Sequence, residues 1–171
     1  TAALANGGTL YRPALIERVR DPDGRILKSF APEVQERFVG QGQNMRLVRA
    51  GLVEAVNGPR GTGKPAKLKG ITVAGKTGTG QVVKLKQYEH LKEEDIPYQY
   101  RDHAWFTCFA PAENPEIAVT VLVEHGLHGS SGAGPVARAV LEAYFKDRLA
   151  QGQDVAYMLV PADAENSQGV N

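Results

Sequence analysis

The apolar positions along the 171-residue chain follow two periods, and these divide it into elements. Met45, Val48, Leu52 and Val56 recur at helical spacing, with Asn44 as a cap and Asn57-Gly58-Pro59 as a stop. They predict a helix over 44–57, in which the methionine fills core space. Val136, Val140, Leu141, Tyr144, Phe145 and Leu149 recur at the same period behind Pro135, which suits a first helical position. They predict a second helix over 135–149. Between these helices the period changes. Residues 104–110 and 116–124 are apolar on both faces and are joined by a short turn, Pro111 to Pro115. Such runs are antiparallel neighbours. Residues 71–83 read as a third strand with glycines in its middle. Strands apolar on both sides need cover on both sides, so the pattern implies an antiparallel sheet between helical layers, α/β of the α+β type.

The rest of the chain is more polar. Thr9 to Arg20 mixes β-branched, aromatic and charged residues, Asp21-Pro22-Asp23-Gly24 supplies turn chemistry, and Arg25 to Phe30 returns. This predicts a surface hairpin over 9–30, followed by a linker with a weak helical turn over 31–42. Residues 58–69 form a basic loop with Arg60, Lys64, Lys67 and Lys69, read as solvated charge. Lys84 to His103 is a polar excursion without a clean period. Residues 1–150 are expected to form one domain portion and 151–171 a polar, flexible tail. Thr1 to Gly8 reads as the last turn of a helix with a glycine stop, which suggests a piece of something longer.

Composition narrows the function classes. A net charge of +1, from 20 Lys+Arg against 19 Asp+Glu, gives no whole-chain case for nucleic acid or an acidic lipid surface. The single cysteine, Cys108, excludes an internal disulfide or a cysteine-rich metal site and reads as a small buried hydrophobe. The longest largely apolar run, Ile117 to Val123, is far short of the roughly 20 residues a membrane helix needs.

Several stretches could carry chemistry. Gly70-Ile71-Thr72-Val73-Ala74-Gly75-Lys76-Thr77 matches the phosphate-loop spacing formally. Its inner residues are strand formers, however, and glycines rather than a helix follow Lys76-Thr77, so no helix N-terminus is offered to phosphate. Read instead as part of a strand, Lys76-Thr77-Gly78-Thr79 makes different sense. Lys76 supplies a positive charge, Thr77 and Thr79 share one face, and Gly78 leaves the backbone bare between them. Charge, hydroxyls and a strand edge together suit an extended peptide that ends in a carboxylate. His125 and His128 stand three apart beside Glu124, but their glycine-rich surroundings favour a loop role over metal binding, and His90 and His103 read as surface residues. Gly129-Ser130-Ser131-Gly132 does not fit a nucleophile elbow. No cofactor and no metal is expected.

Taken in order, the segments resemble a known family. Leu4-Ala5-Asn6-Gly7-Gly8-Thr9 with Arg12-Pro13, then Ala74 to Val82 around Lys-Thr-Gly, then Asp102-His103-Ala104-Trp105-Phe106 and Phe109-Ala110-Pro111, then Glu124-His125-Gly126 and the helix from Pro135, resemble class B penicillin-binding proteins of the elongation type, penicillin-binding protein 2. The resemblance covers residues 1–150. It implies a fragment of the transpeptidase fold shared with serine β-lactamases, and a parent enzyme that cross-links peptidoglycan stem peptides through a serine acyl-enzyme and binds β-lactams. It further implies a D-Ala-D-Ala stem peptide as substrate, other cell-elongation proteins as partners, and a location on the periplasmic face of the bacterial inner membrane. By this resemblance Lys76 is catalytic, helping to set the protonation of a serine in an S-x-N motif. Thr77, Gly78 and Thr79 bind substrate, with the Thr79 hydroxyl on the carboxylate and its N–H as an oxyanion donor. The chain departs from the family in one respect. None of its four serines, Ser29, Ser130, Ser131 and Ser167, has Lys three on or Asn two on, so by itself it should be inactive. A non-catalytic peptide- or partner-binding module of the same fold is the alternative reading. The last strand lacks its upstream companion here, so its edge is expected to be open to self-association.

Overall fold

The computed structural model describes residues 1–38, 42–83, 91–92 and 95–150. In chain order the elements are α1 (Ala2–Ala5), β1 (Thr9–Tyr11), β2 (Arg18–Arg20), β3 (Ile26–Ser29), β4 (Val34–Arg37), α2 (Gly42–Asn57), β5 (Ala74–Gly80), β6 (His103–Ala110), β7 (Ile117–Val123), α3 (Gly134–Tyr144) and α4 (Lys146–Ala150). The three expected strands form one antiparallel sheet in the order β5-β6-β7. The expected strand 71–83 is shorter at both ends, because its partner β6 reaches only from Gly80, opposite His103, to Ala74, opposite Phe109. Beyond Gly80 there is no ladder, and the Val82 N–H donates instead to the Asp102 carboxylate at 3.2 Å. Part of the polar excursion, at 84–90 and 93–94, and the whole tail, 151–171, lie outside the described residues.

Strand alternation gives the sheet two faces. On one, Phe106 and Cys108 of β6 are fully buried, flanked by Val119 and Val121 of β7 and by Gly75 of β5. Val56 of α2, Leu68, Ile71 and Val73 of the connecting segment, and Ala137, Leu141 and Phe145 from the C-terminal helices close over it. Each large side chain so buried contributes about 1.5–3 kcal/mol. The other face departs from the expectation of full cover. Among the described residues only its end near Ala74 and Phe109 is packed, by Ala112, by Leu4 and Ala5 of α1, and by Leu52 and Val53 of α2. Farther along, Trp105 and Leu122 stand opposite one another and are 41% and 45% exposed. Arg49 of α2 fastens the packed end, donating to the carbonyls of Leu4, Ala5 and Ala112 while its guanidinium lies 5.4 Å from the centre of the Phe109 ring.

The helices follow their stripes with one correction. The expected 135–149 helix is interrupted at Phe145, and its buried stripe is Ala137, Leu141, Phe145 with Leu149 packed alongside. Val136, Val140 and Tyr144 form a neighbouring stripe that faces outward. The small Ala137 allows α3 to approach the sheet closely, which periodicity of large residues alone does not reveal. Val48 of the α2 stripe is likewise exposed.

The N-terminal ribbon also differs from the single hairpin expected over 9–30. β2 and β3 pair across the Asp21–Gly24 turn, where Gly24 has φ +83° and the Asp21 side chain accepts the Arg25 N–H at 2.8 Å. β1 pairs instead with β4, in the stretch expected to be a linker. Pro13 and Pro32 interrupt the ladder between the two pairs, since proline has no N–H to give.

Candidate functional site

The K-T-G-T stretch lies on β5, at the margin of the sheet. Among the described residues no strand pairs with the other edge of β5. A margin strand leaves every second N–H and C=O facing outward, available for strand-like pairing. The phosphate-loop spacing is thereby set aside: Lys76 and Thr77 sit in the middle of a strand, and Gly78 continues it.

Alternation places Thr77 and Thr79 opposite Phe106 and Ala104, on the face that carries the core, and Lys76 and Gly78 opposite Thr107 and Trp105, on the more open face. The two hydroxyls therefore share a side, as the sequence implied. Lys76 is exposed and reaches around the strand, its Nζ donating to the Thr77 carbonyl at 2.9 Å and to Thr77 Oγ1 at 3.4 Å. The ammonium thus meets the Thr77 hydroxyl at the edge although the two side chains leave the strand on different faces.

The structure adds a residue that sequence reasoning placed in a solvated loop. Thr62 Oγ1 lies 3.1 Å from Thr77 Oγ1. Its loop is held rigidly. The Gly63 N–H donates to the Ala55 carbonyl at 2.8 Å, and a methyl group built on Gly63 would lie 3.1 Å from Val56 Cγ2 and 3.2 Å from Phe106 Cε2. Gly61 and Gly63 let the chain run this close to α2 and present Thr62 outward. The flanking glycines were the only sequence signal, and nothing in one dimension says that this loop meets β5. Lys64 is tied back to the Pro59 carbonyl, so its charge belongs to the loop rather than to the edge.

Behind the strand a π-helical turn, Gly129–Ala133, packs against β5 and β6. A methyl group at Gly129 would lie 2.1 Å from the Trp105 carbonyl oxygen, 2.6 Å from the Gly78 oxygen and 2.9 Å from the Gly78 nitrogen. Only glycine fits there, and backbone lies directly on backbone behind Gly78. Of the histidines, His125 and His103 are half-buried with their ring centres 4.8 Å apart, so His103 is not the surface residue expected. Among the described residues no group of three His, Cys, Asp or Glu side chains could hold a metal ion. Cys108 is buried as expected, and burial pushes its thiol up to about 12 despite a hydrogen bond with the Val119 backbone.

Comparison with known proteins gives one family. The penicillin binding protein transpeptidase domain matches residues 1–142. The peptidoglycan D,D-transpeptidase MrdA of Haemophilus influenzae is 34% identical over 157 residues, which are 88% of this chain and 23% of that protein. The penicillin-binding protein A of M. tuberculosis, solved as a ceftriaxone acyl-enzyme complex, superposes with TM-score 0.65 at 31% identity, over 83% of this chain and 30% of that one. Penicillin-binding protein 2 of Pseudomonas aeruginosa, solved in complex with WCK 5153, gives TM-score 0.63 at 36% identity, over 85% of this chain and 28% of that one. The chain thus spans less than a third of the length of each of these proteins.

Proposed function

The chain belongs to the penicillin-binding protein transpeptidase family, and on that premise we propose that residues 1–150 are the C-terminal portion of the transpeptidase domain of an elongation-type peptidoglycan D,D-transpeptidase. The observation that carries the reading is the margin strand on which Lys76, Thr77, Gly78 and Thr79 converge, with Thr62 joined to Thr77 by its hydroxyl. In this reading a stem peptide ending in D-Ala-D-Ala, or a β-lactam, lies along the edge of β5. The hydroxyls of Thr77 and Thr79 take its carboxylate, with Thr62 fixing the orientation of Thr77. Gly78 lets the ligand backbone approach. The Thr79 N–H is one donor to the oxyanion that forms when a serine attacks the carbonyl, and a preorganised donor of this kind is worth about 2.7–4 kcal/mol of barrier. Lys76 holds a positive charge beside the serine pair that would complete proton transfer. Both serines come from sequence outside these 171 residues. In this reading the parent enzyme works at the periplasmic face of the inner membrane, in association with other cell-elongation proteins.

The test is covalent labelling by a fluorescent penicillin of the protein expressed from the complete reading frame that encodes this chain. Lys76→Ala and Thr79→Val should each slow labelling by about a hundredfold or more. Thr62→Val should slow it by about tenfold, chiefly for ligands that carry the carboxylate. Labelling of the Lys76 and Thr79 variants at the rate of the unaltered protein overturns the reading.

A further inference from the structure

Resting on that reading of the β5 edge, we infer that Asp102 and His103 are positioning residues: together they clasp the far end of β5 and the bend behind it, and so fix where Thr77, Gly78 and Thr79 stand. The clasp has two arms. In one, the Asp102 carboxylate accepts the Val82 N–H at 3.2 Å and pins the chain two residues after β5 ends. In the other, Arg101 and Asp102, just before β6, and His103, its first residue, accept from the bend between β7 and the π-helical turn. Arg101 O lies 3.0 Å from His125 Nδ1, Asp102 O accepts the Leu127 N–H at 2.9 Å, and His103 Nδ1 accepts the His125 N–H at 2.9 Å.

Both tautomers follow from the partners. A carbonyl can only accept, so His125 carries its proton on Nδ1. An N–H can only donate, so His103 Nδ1 is bare and its proton is on Nε2. The bend needs this support. His125 and Leu127 have φ of +55° and +63°, a left-handed conformation that non-glycine residues keep only where their surroundings impose it. Two residues beyond Leu127, Gly129 presses on the Gly78 backbone with no side chain between to absorb a shift. A bend that relaxes therefore moves Gly129 against the residue between the two substrate-binding threonines.

The His103 arm depends on which ring nitrogen carries the proton, since a proton on Nδ1 would set a donor against the His125 N–H and open it. Asparagine at 103 offers a side-chain oxygen near the place of Nδ1 that accepts in the same way.

The experiment has two readouts. In the 171-residue chain, nitrogen NMR of His103 and hydrogen exchange of the His125, Gly78 and Thr79 amides report the clasp directly. In the protein from the complete reading frame, penicillin labelling reports its consequence. His103→Leu and Asp102→Ala should speed exchange at Gly78 and Thr79 and slow labelling by about tenfold, the scale of a sub-ångström misplacement. His103→Asn should restore most of the rate, because its side-chain oxygen accepts where Nδ1 does. Labelling of His103→Leu at the unaltered rate, or a His103 proton found on Nδ1 at neutral pH, overturns the inference. If His103→Leu does not fold, His103→Asn against Asp102→Ala decides, and labelling in Asp102→Ala at the unaltered rate overturns it. Normal labelling of Thr79→Val would overturn the proposed function instead, and the NMR readout would still report on the clasp.

Discussion

The central sheet and the N-terminal ribbon are both antiparallel, yet they bury very different amounts. In the sheet, Phe106, Cys108 and Phe109 are wholly removed from water. In the ribbon every residue of β2, β3 and β4 is exposed, Leu27 and Ile26 included. Hydrogen bonding makes both, but among the described residues helices close over a face of the sheet, whereas the ribbon meets them only at its β1 end. A two-stranded ribbon with both faces open is marginal by itself, so its order derives from the body that carries it. The candidate site follows the same division. It stands on β5, which is packed into the core at Ala74 and, among the described residues, unpaired along one edge, as β7 is at the opposite margin.

The contrast can be broken in the core first. Phe106→Ala should cost about 3–5 kcal/mol in denaturant unfolding, since the ring sits between Gly63 and Gly75 with no room for collapse. A loss near that of a surface residue would mean that the sheet is no better packed than the ribbon. Gly75→Ala should cost about 1–3 kcal/mol by overpacking, because a methyl there would lie 2.9 Å from Cys108 Cβ, Phe106 Cζ and the Thr107 oxygen.

Titration sharpens the same contrast. With its thiol pushed up to about 12, Cys108 should resist iodoacetamide at pH 8 until the chain unfolds. The unfolded thiol has the ordinary value near 8.5, so the stability linked to this group is complete below that pH and falls as pH rises toward about 12. A loss of stability between these values that is absent from Cys108→Ala would confirm the sign. The Glu116 carboxyl shifts the other way, held below the usual carboxylate range chiefly by its hydrogen bonds from Arg148, both at 2.7 Å. Its contribution is present above the unfolded carboxyl value, about 4.3, and is lost as pH falls. The pair is well exposed, so Arg148→Gln should cost under about 1 kcal/mol at pH 7, with the difference shrinking in acid. Smallest of all, Leu27→Ser on the ribbon should change stability by no more than about 0.5 kcal/mol.

Much of the fold was legible because period and burial coincide where large apolar residues face one neighbour. The strands at 104–110 and 116–124 and the helix at 44–57 lie where their patterns put them, within two residues at each end. Period misled where small residues face the core. Ala137 rather than Val136 or Val140 is buried, because close approach of a helix favours a short side chain. It misled again in the ribbon, where a polar strand without a buried face has no period to read. Lys76, Thr77, Gly78 and Thr79 were legible as a cluster because they are consecutive, and a strand fixes which of them share a face. Thr62 was not, because it reaches Thr77 across 15 residues of chain. His103 was misjudged as a surface residue for the same reason, since its acceptor role exists only where the bend after β7 returns to β6.

By itself, then, the sequence determined the strands of the central sheet, the helix at 44–57, the strand that carries the lysine and threonines, and the family to which they belong. These are properties of neighbours along the chain, set by spacing and side-chain type. Only the tertiary structure decided that the Thr62 loop meets β5 and that Gly129 closes on Gly78 behind it. Those contacts join residues far apart in sequence, and they exist because burial of the shared core brings the elements together, which no local pattern encodes.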